Sequence, residues 1–201
     1  MGLARLIARE LGRPSRITGR VLNLANARGN KRAIELLDVS PEHRALEVGF
    51  GGGLALRKLA ARARFVAGID PSESAVRAAR RSFRRDIEHG GVQVEEASVD
   101  AIPFEADSFD RALTVHTIYF WPDPERGLRE ILRVMKRGAR FVLVTDTKGP
   151  PTAIAKHGFA SYSEVQQAEL LRSVGFSDIA FQRRGRLLLA VANKPSSRSS
   201  A

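Results

Sequence analysis

From Arg44 onward the chain alternates short apolar runs rich in β-branched residues with amphipathic stretches of helical period. That alternation admits little besides a parallel sheet assembled from βαβ units. The runs at 45–49, 65–69, 92–97, 110–116, 139–146, 177–183 and 186–193 read as seven strands. Between them, 53–63, 73–85, 124–136 and 163–173 read as helices, with starts marked by Pro71 with Ser72 and by Pro122, Asp123 and Pro124. Gly175 reads as the C-cap of the last helix. Arg184 and Gly185 leave so few residues between the final two runs that they must form a hairpin, so one strand runs antiparallel to its neighbours.

Helix 73–85 shows how charge and core separate. Val76, Ala79 and Phe83 share one face, which should pack on the sheet, while Arg77, Arg81, Arg84 and Arg85 share another, read as a solvated face. The first 40 residues read as an N-terminal cap of two helices, 2–11 and roughly 15–38, punctuated by Gly12, Arg13 and Pro14. Leu3, Leu6, Ile7 and Leu11 give the first helix an apolar stripe flanked by arginines, which suits packing on the domain edge or, as the sharper alternative, peripheral contact with a membrane surface. The cap precedes one domain over 41–194, and the small polar residues at 195–201 are expected to be a disordered tail.

At 201 residues there is room for one core, and 43% apolar with 27% charged residues is the balance of a chain that buries one. The absence of cysteine excludes disulfides, thiolate metal sites and cysteine nucleophiles, and the four histidines lack the pairing of a metal site. Arginine or lysine interrupts every apolar run and no secretory signal opens the chain, so a cytoplasmic protein is expected. The net charge of +11 invites a nucleic-acid partner. The charge is spread over the first 44 residues, 57–85 and the end, however, without the aromatic interleaving that stacks bases, so nucleic acid is not favoured.

The chemistry concentrates where the first strand, in ALEVGFGGG at 45–53, runs straight into a glycine-rich turn and then a helix. Gly49, Gly51 and Gly53 let backbone approach a ligand closely. About 20 residues on, VAGID ends the second strand with Asp70, placed to take both hydroxyls of a ribose. NAD is the runner-up ligand, because Leu54 stands where the dinucleotide fingerprint wants its third glycine.

Taken in order, ALEVGFGGG, VAGIDPS, ASVDAIPFEADSFD, TVHTIYFWPDPERGLREILRVMKRGARFVLV and the closing hairpin resemble the successive motifs of class I S-adenosylmethionine-dependent methyltransferases, over about three quarters of the chain. Within that class they are most similar to the ubiquinone/menaquinone-biosynthesis-like group. The resemblance implies a Rossmann-like three-layer α/β sandwich on a seven-stranded, mostly parallel sheet with an antiparallel last strand. It implies S-adenosyl-L-methionine as cofactor, with Glu47, Gly49, Gly51 and Gly53 around its methionine part and Asp70 on its ribose. The family's acidic residue after the third strand is replaced by Ser98, so Ser98 and the Val99 backbone are expected to meet the adenine. Its usual Pro-Gly-Gly before the fifth strand reads Arg137, Gly138 and Ala139, with Gly138 expected as the helix C-cap.

A sulfonium carries its own leaving group, so methyl transfer needs in-line approach and exclusion of water more than catalytic side chains. His116, ending the fourth strand, is the candidate base for a hydroxyl or acidic carbon, or else a residue that only shapes the cofactor pocket. Tyr119, Phe120 and Trp121 either wall an acceptor pocket or plug the domain edge. His157, Tyr162 and the loop 148–161 fall where this family builds its acceptor cover. The cover is short here, leaving the pocket open, completed by the N-terminal helices or closed by a second subunit, as in a homodimer. A small-molecule acceptor leads. Methylation of RNA or another polyanion, and a non-catalytic S-adenosylmethionine-binding protein, are the alternatives.

Overall fold

The computed structural model describes residues 29–147 and 162–196. The helix expected over 2–11, the first part of that over 15–38, the loop 148–161 with His157, and residues beyond 196 lie outside the described residues. The strands are β1 (Arg44–Val48), β2 (Phe65–Asp70), β3 (Val92–Glu96), β4 (Phe109–Val115), β5 (Met135–Asp146), β6 (Ser177–Arg184) and β7 (Leu187–Asn193). They form one sheet in the order β3-β2-β1-β4-β5-β7-β6. β7 is antiparallel to β5 and to β6, and the other four ladders are parallel. The helices are α1 (29–37), α2 (Leu54–Ala60), α3 (Glu73–Ser82), α4 (Arg84–Glu88), α5 (Pro124–Val134) and α6 (Glu164–Val174). Among the described residues no helix is long and apolar enough to cross a membrane.

Because side chains alternate along a strand, each central strand supplies two cores. Leu46, Val48, Ala112, Phe141 and Leu143 face one way and meet Leu128 and Ile131 of α5 and Leu171 of α6. Ala45, Leu113, Val115, Val142 and Val144 face the other way, onto Ala33, Ile34 and Leu37 of α1, Leu56 and Leu59 of α2 and Val76 and Ala79 of α3. The result is the three-layer sandwich. Val76, Ala79 and Phe83 are buried and Arg77, Arg81, Arg84 and Arg85 exposed, as the helical pattern required. Arg77 pairs with Glu73, and Arg84 with Glu88 at 3.8 Å, on that solvated face.

Two expectations need correction. The single helix over 73–85 breaks at Phe83, whose backbone leaves the helical region while its ring is buried and carries the Arg57 guanidinium 4.9 Å from its centroid. Gly138 is not a helix C-cap. The chain turns extended already at Met135, which caps α5 and pairs with Phe109, and Gly138 sits inside β5 with φ +72° where the β4–β5 register shifts. A glycine relieves the cost of that left-handed residue, and its N–H still finds the Lys194 carbonyl at 2.9 Å.

The strand order reverses between β1 and β4: β2 and β3 lie on one side of β1, and β4 to β7 on the other. In open α/β sheets the crevice beyond the carboxyl ends at such a switch point is where ligands bind. Gly49 directly follows β1, and His116 and Thr117 directly follow β4, so the switch point opens between them.

Candidate functional site

The bend after β1 has three consecutive constraints. The Gly49 N–H donates to the Ile69 carbonyl at 2.8 Å, tying the turn to β2. Gly49 has φ +74°, and a Cβ there would collide with the Thr117 methyl and lie 3.1 Å from Thr117 Cβ. β1 and β4 can therefore approach at the switch point only with no side chain on Gly49. Gly51, at φ +49°, is the opposite case: a Cβ added there meets nothing within 4 Å. Its backbone borders open space, which a ligand can fill.

Asp70 closes β2 and is buried. Its Oδ2 accepts from the Gly51 N–H at 2.8 Å and its Oδ1 from the Ser72 N–H at 2.9 Å, so the glycine bend and the carboxylate form one hydrogen-bonded unit. Burial pushes the Asp70 carboxyl above its ordinary range, partly offset by those two amides. Glu47 occupies the same face of the sheet. It is 4% exposed, and its Oε2 has no hydrogen-bond partner among the described residues. Burial, then the charge of Asp70, push it well above the usual carboxylate range, with the Leu56 amide opposing.

After β3, Ser98 is exposed and Val99 buried. A Cβ at Gly127 of α5 would meet both Trp121 Cε3 and a Val99 methyl at 3.0 Å, so Trp121 packs beside Val99. The indole thus packs on α5 beside Val99, against the core.

His116 holds a left-handed backbone, φ +57°, with its N–H on the Val144 carbonyl at 2.9 Å. Burial lowers its imidazole below the ordinary histidine range, partly offset by the charge of Asp146 at the end of β5. The Tyr119 ring stacks on it, 6.5 Å between centroids and 15° between planes. The start of α1 lies near its Nε2 edge: a Cβ at Gly29 would lie 3.7 Å from His116 Nε2, and equally near Leu187 and Val144.

Tyr119 is only 4% exposed, a core residue whose hydroxyl bonds to the Asp146 backbone N–H, and burial pushes it up to about 12. Phe120 stands edge-on to Tyr119 at 6.2 Å. Tyr162 is half-buried, and its carbonyl accepts from Gln167 Nε2 at 3.0 Å. The described structure thus brings together Glu47, Gly49, Gly51, Gly53 and Asp70, and separately groups His116 with Tyr119 and Val99 with Trp121.

Sequence reasoning missed three contributors. Thr114, fully buried, donates to the Val48 carbonyl at 2.9 Å and bonds to the Thr117 hydroxyl, holding Thr117 against Gly49. Asp146 lies near His116 and pairs with Arg186 at 3.1 Å. Gly29 touches a residue far along the chain. The threonines flanking Val115 and His116 were a readable signal; Gly29 had none.

The family described as “Methyltransferase domain” matches residues 46–143. The uncharacterized methyltransferase YdaC of Bacillus subtilis (strain 168) is 27% identical over 168 residues, 83% of this chain and 89% of that protein. The demethylmenaquinone methyltransferase of Clavibacter sepedonicus is 29% identical over 139 residues, 69% of this chain, and the match spans little more than half, 55%, of that relative's length. Among solved structures, a SAM dependent methyltransferase from Aquifex aeolicus superposes with a TM-score of 0.70 at 21% identity, covering 82% of this chain and 89% of that one.

Proposed function

The chain belongs to the class I S-adenosylmethionine-dependent methyltransferases, in the quinone-biosynthesis-like group, and from that premise we propose a small, flat, largely apolar acceptor of the hydroquinol type. S-adenosyl-L-methionine is its cofactor. The residues present suit that molecule. The Cα side of Gly51 borders open space, its N–H is held by the Asp70 carboxylate, and Glu47 Oε2 is a buried acceptor with no partner among the described residues. In this reading Glu47, Gly49, Gly51 and Gly53 hold the methionine part and Asp70 the ribose hydroxyls. Ser98 and Val99 meet the adenine, with Trp121 behind Val99.

When bound, the cofactor supplies an electrophilic methyl group on a sulfonium, so the protein has only to orient the acceptor, exclude water and take one proton. His116 is the group for the proton. One observation carries the reading: the His116 imidazole, lowered from its usual range by burial, stands in a fixed backbone conformation where β4 meets the crevice, and that lowering favours the neutral ring. A neutral ring can accept the phenolic proton of a hydroquinol, which makes the adjacent ring carbon or oxygen more nucleophilic. Tyr119, Leu187 and Val144, grouped around His116 and Gly29, supply apolar surface that keeps water away from that transfer.

The test is incubation of the full chain with methyl-labelled S-adenosylmethionine, offering a demethylated prenyl hydroquinol and, separately, total RNA. Label extracted in a methylated hydroquinol, and lost in His116→Ala, is the expected result. Label in RNA with none in any hydroquinol would overturn the proposal.

A further inference from the structure

The two helical layers of the sandwich differ sharply in charge. On the face made by α1 to α4, nine lysines and arginines stand against four carboxylates, an excess of five cations. On the opposite face, α5 and α6 hold four of each and cancel. A compositional preference for arginine would load both layers alike, so the net charge of +11 is not a uniform coat.

Much of the surplus is unpaired. Arg32, Arg77 and Arg84 have acidic partners on their own helices, and Arg80 has Glu95 of the edge strand β3 at 3.3 Å. Lys31, Arg57, Lys58, Arg62, Arg81 and Arg85 form no ion pair among the described residues. These cations run on from helix to helix. Lys31, Lys58 and Arg62 line one open groove between α1 and α2, where Glu35 and Asp38 are held by Arg32 at 2.9 Å and Arg140 at 3.7 Å. Arg57 reaches the Phe83 ring, 4.9 Å away, and so joins α2 to the junction of α3 and α4.

The apolar side chains bear on what this face can hold. Val165, the exposed large hydrophobic among the described residues, lies on α6, on the other side of the sheet. Phe83 is buried beneath Arg57 rather than offered for stacking. Single-stranded nucleic acid is held by stacking as well as by charge, whereas an anionic lipid surface attracts a basic face by charge alone. The face also runs up to the crevice, because α1 begins beside His116: a Cβ at Gly29 would lie 3.7 Å from its Nε2.

We propose that the α1 to α4 face docks on an anionic lipid bilayer, held by charge without insertion, and brings the His116 side of the crevice to an acceptor dissolved in the lipid. A prenylated hydroquinol partitions into a bilayer, so the choice of lipid over a polynucleotide rests on the hydroquinol reading of the acceptor. Attachment of this kind is screened by salt, over about 10 Å at 0.1 M and about 3 Å at 1 M. Each basic residue at such a surface contributes roughly fivefold to partitioning.

The experiment is sedimentation of the full chain with vesicles of phosphatidylcholine containing about a third phosphatidylglycerol, beside vesicles of phosphatidylcholine alone, neither holding any hydroquinol. The protein should sediment with the mixed vesicles at about 0.1 M salt, leave them at about 1 M, and ignore the neutral ones. Lys58→Gln, Arg81→Gln and Arg85→Gln together should weaken that partitioning on the order of a hundredfold. Arg126→Gln, Arg129→Gln and Arg172→Gln, at exposed positions of α5 and α6, remove the same charge from the other face and should weaken it several-fold at most. Both triple variants should bind S-adenosylhomocysteine as the wild type does, which reports that each is folded. Equal losses in the two triples would assign the binding to net charge and overturn the proposal. Undiminished binding in the first triple would place the attachment elsewhere in the chain, such as residues 1–28, and overturn it too. Absence of the wild type from the mixed vesicles would do the same, as would binding of total RNA that exceeds vesicle binding at equal salt. Because the vesicles contain no hydroquinol, these results are read independently of whether the chain methylates one.

Discussion

Three glycines with nearly the same backbone separate fold from ligand binding. Gly49, Gly51 and Gly138 all have positive φ, at +74°, +49° and +72°, so alanine at any of them adopts the left-handed region at a cost of about 1–2 kcal/mol. What surrounds the added methyl differs. At Gly138 it meets nothing within 4 Å, and the residue lies in β5 away from the crevice. Gly138→Ala should cost only the backbone term, lowering Tm by roughly 2–8 °C for a chain of this size, with cofactor affinity unchanged. At Gly49 the methyl collides with Thr117, which is hydrogen-bonded to buried Thr114 and cannot retreat freely. Overpacking adds about 1–3 kcal/mol, so Gly49→Ala should lose about 2–5 kcal/mol, a large share of the ~5–15 kcal/mol typical of a domain. At Gly51 the methyl enters open space bordered by the Asp70 carboxylate's hydrogen bond. Gly51→Ala should match Gly138→Ala in urea or thermal unfolding but lose at least about tenfold in S-adenosylmethionine affinity, some 1.4 kcal/mol. Denaturation and calorimetric titration on the three variants read both quantities. Wild-type affinity in Gly51→Ala at reduced stability would refute the placement of the cofactor over that residue.

Asp70→Ala removes the proposed acceptor of both ribose hydroxyls, and two hydrogen bonds to a charged group at about 1.5–3 kcal/mol each come to about 3–6 kcal/mol, so the dissociation constant for S-adenosylhomocysteine should rise on the order of a hundred- to ten-thousandfold by calorimetry. His116→Ala should keep near-normal cofactor affinity while turnover collapses if His116 takes the proton; an equal loss of both would reduce it to a residue that shapes the pocket. The Glu47 carboxyl is pushed upward by burial, so its contribution to folding is fully present below the ordinary carboxylate range and is lost as pH rises through its raised value. Glu47→Gln without ligand should therefore gain Tm over the wild type, by more at pH 8 than at pH 5, and a gap constant across that range would contradict a titrating Glu47.

Apart from β5, which starts at Met135 rather than at 139, the strands were legible to within a residue or two because their burial is two-sided: Leu46 and Val48 face one core and Ala45 the other, so the whole run is apolar. The nearness of the glycine bend to Asp70 was legible too, since parallel neighbouring strands end side by side, whereas the direct Gly51–Asp70 hydrogen bond was not. Gly138 was misread because a left-handed glycine serves a helix end and a strand irregularity equally well, and only the pairing of Met135 with Phe109 distinguishes them. The break at Phe83 escaped because the helical period continues across it, while the ring's burial under Arg57 is a tertiary fact. Trp121 was legible only as a pocket wall or a plug of the domain edge, because its packing on Gly127 depends on where α5 docks. The contact between Gly29 and His116 spans 87 positions and follows from the docking of α1 on the sheet, which no local pattern reports.

The most direct test is a crystal structure of the full chain with S-adenosylhomocysteine. The nucleoside should lie in the crevice between β1 and β4, with its ribose hydroxyls on the Asp70 carboxylate and its amino-acid end over Gly51. A well-ordered nucleoside bound anywhere else, or one in that crevice making no contact with Asp70, would contradict the placement from which the roles of Glu47 and His116 were drawn.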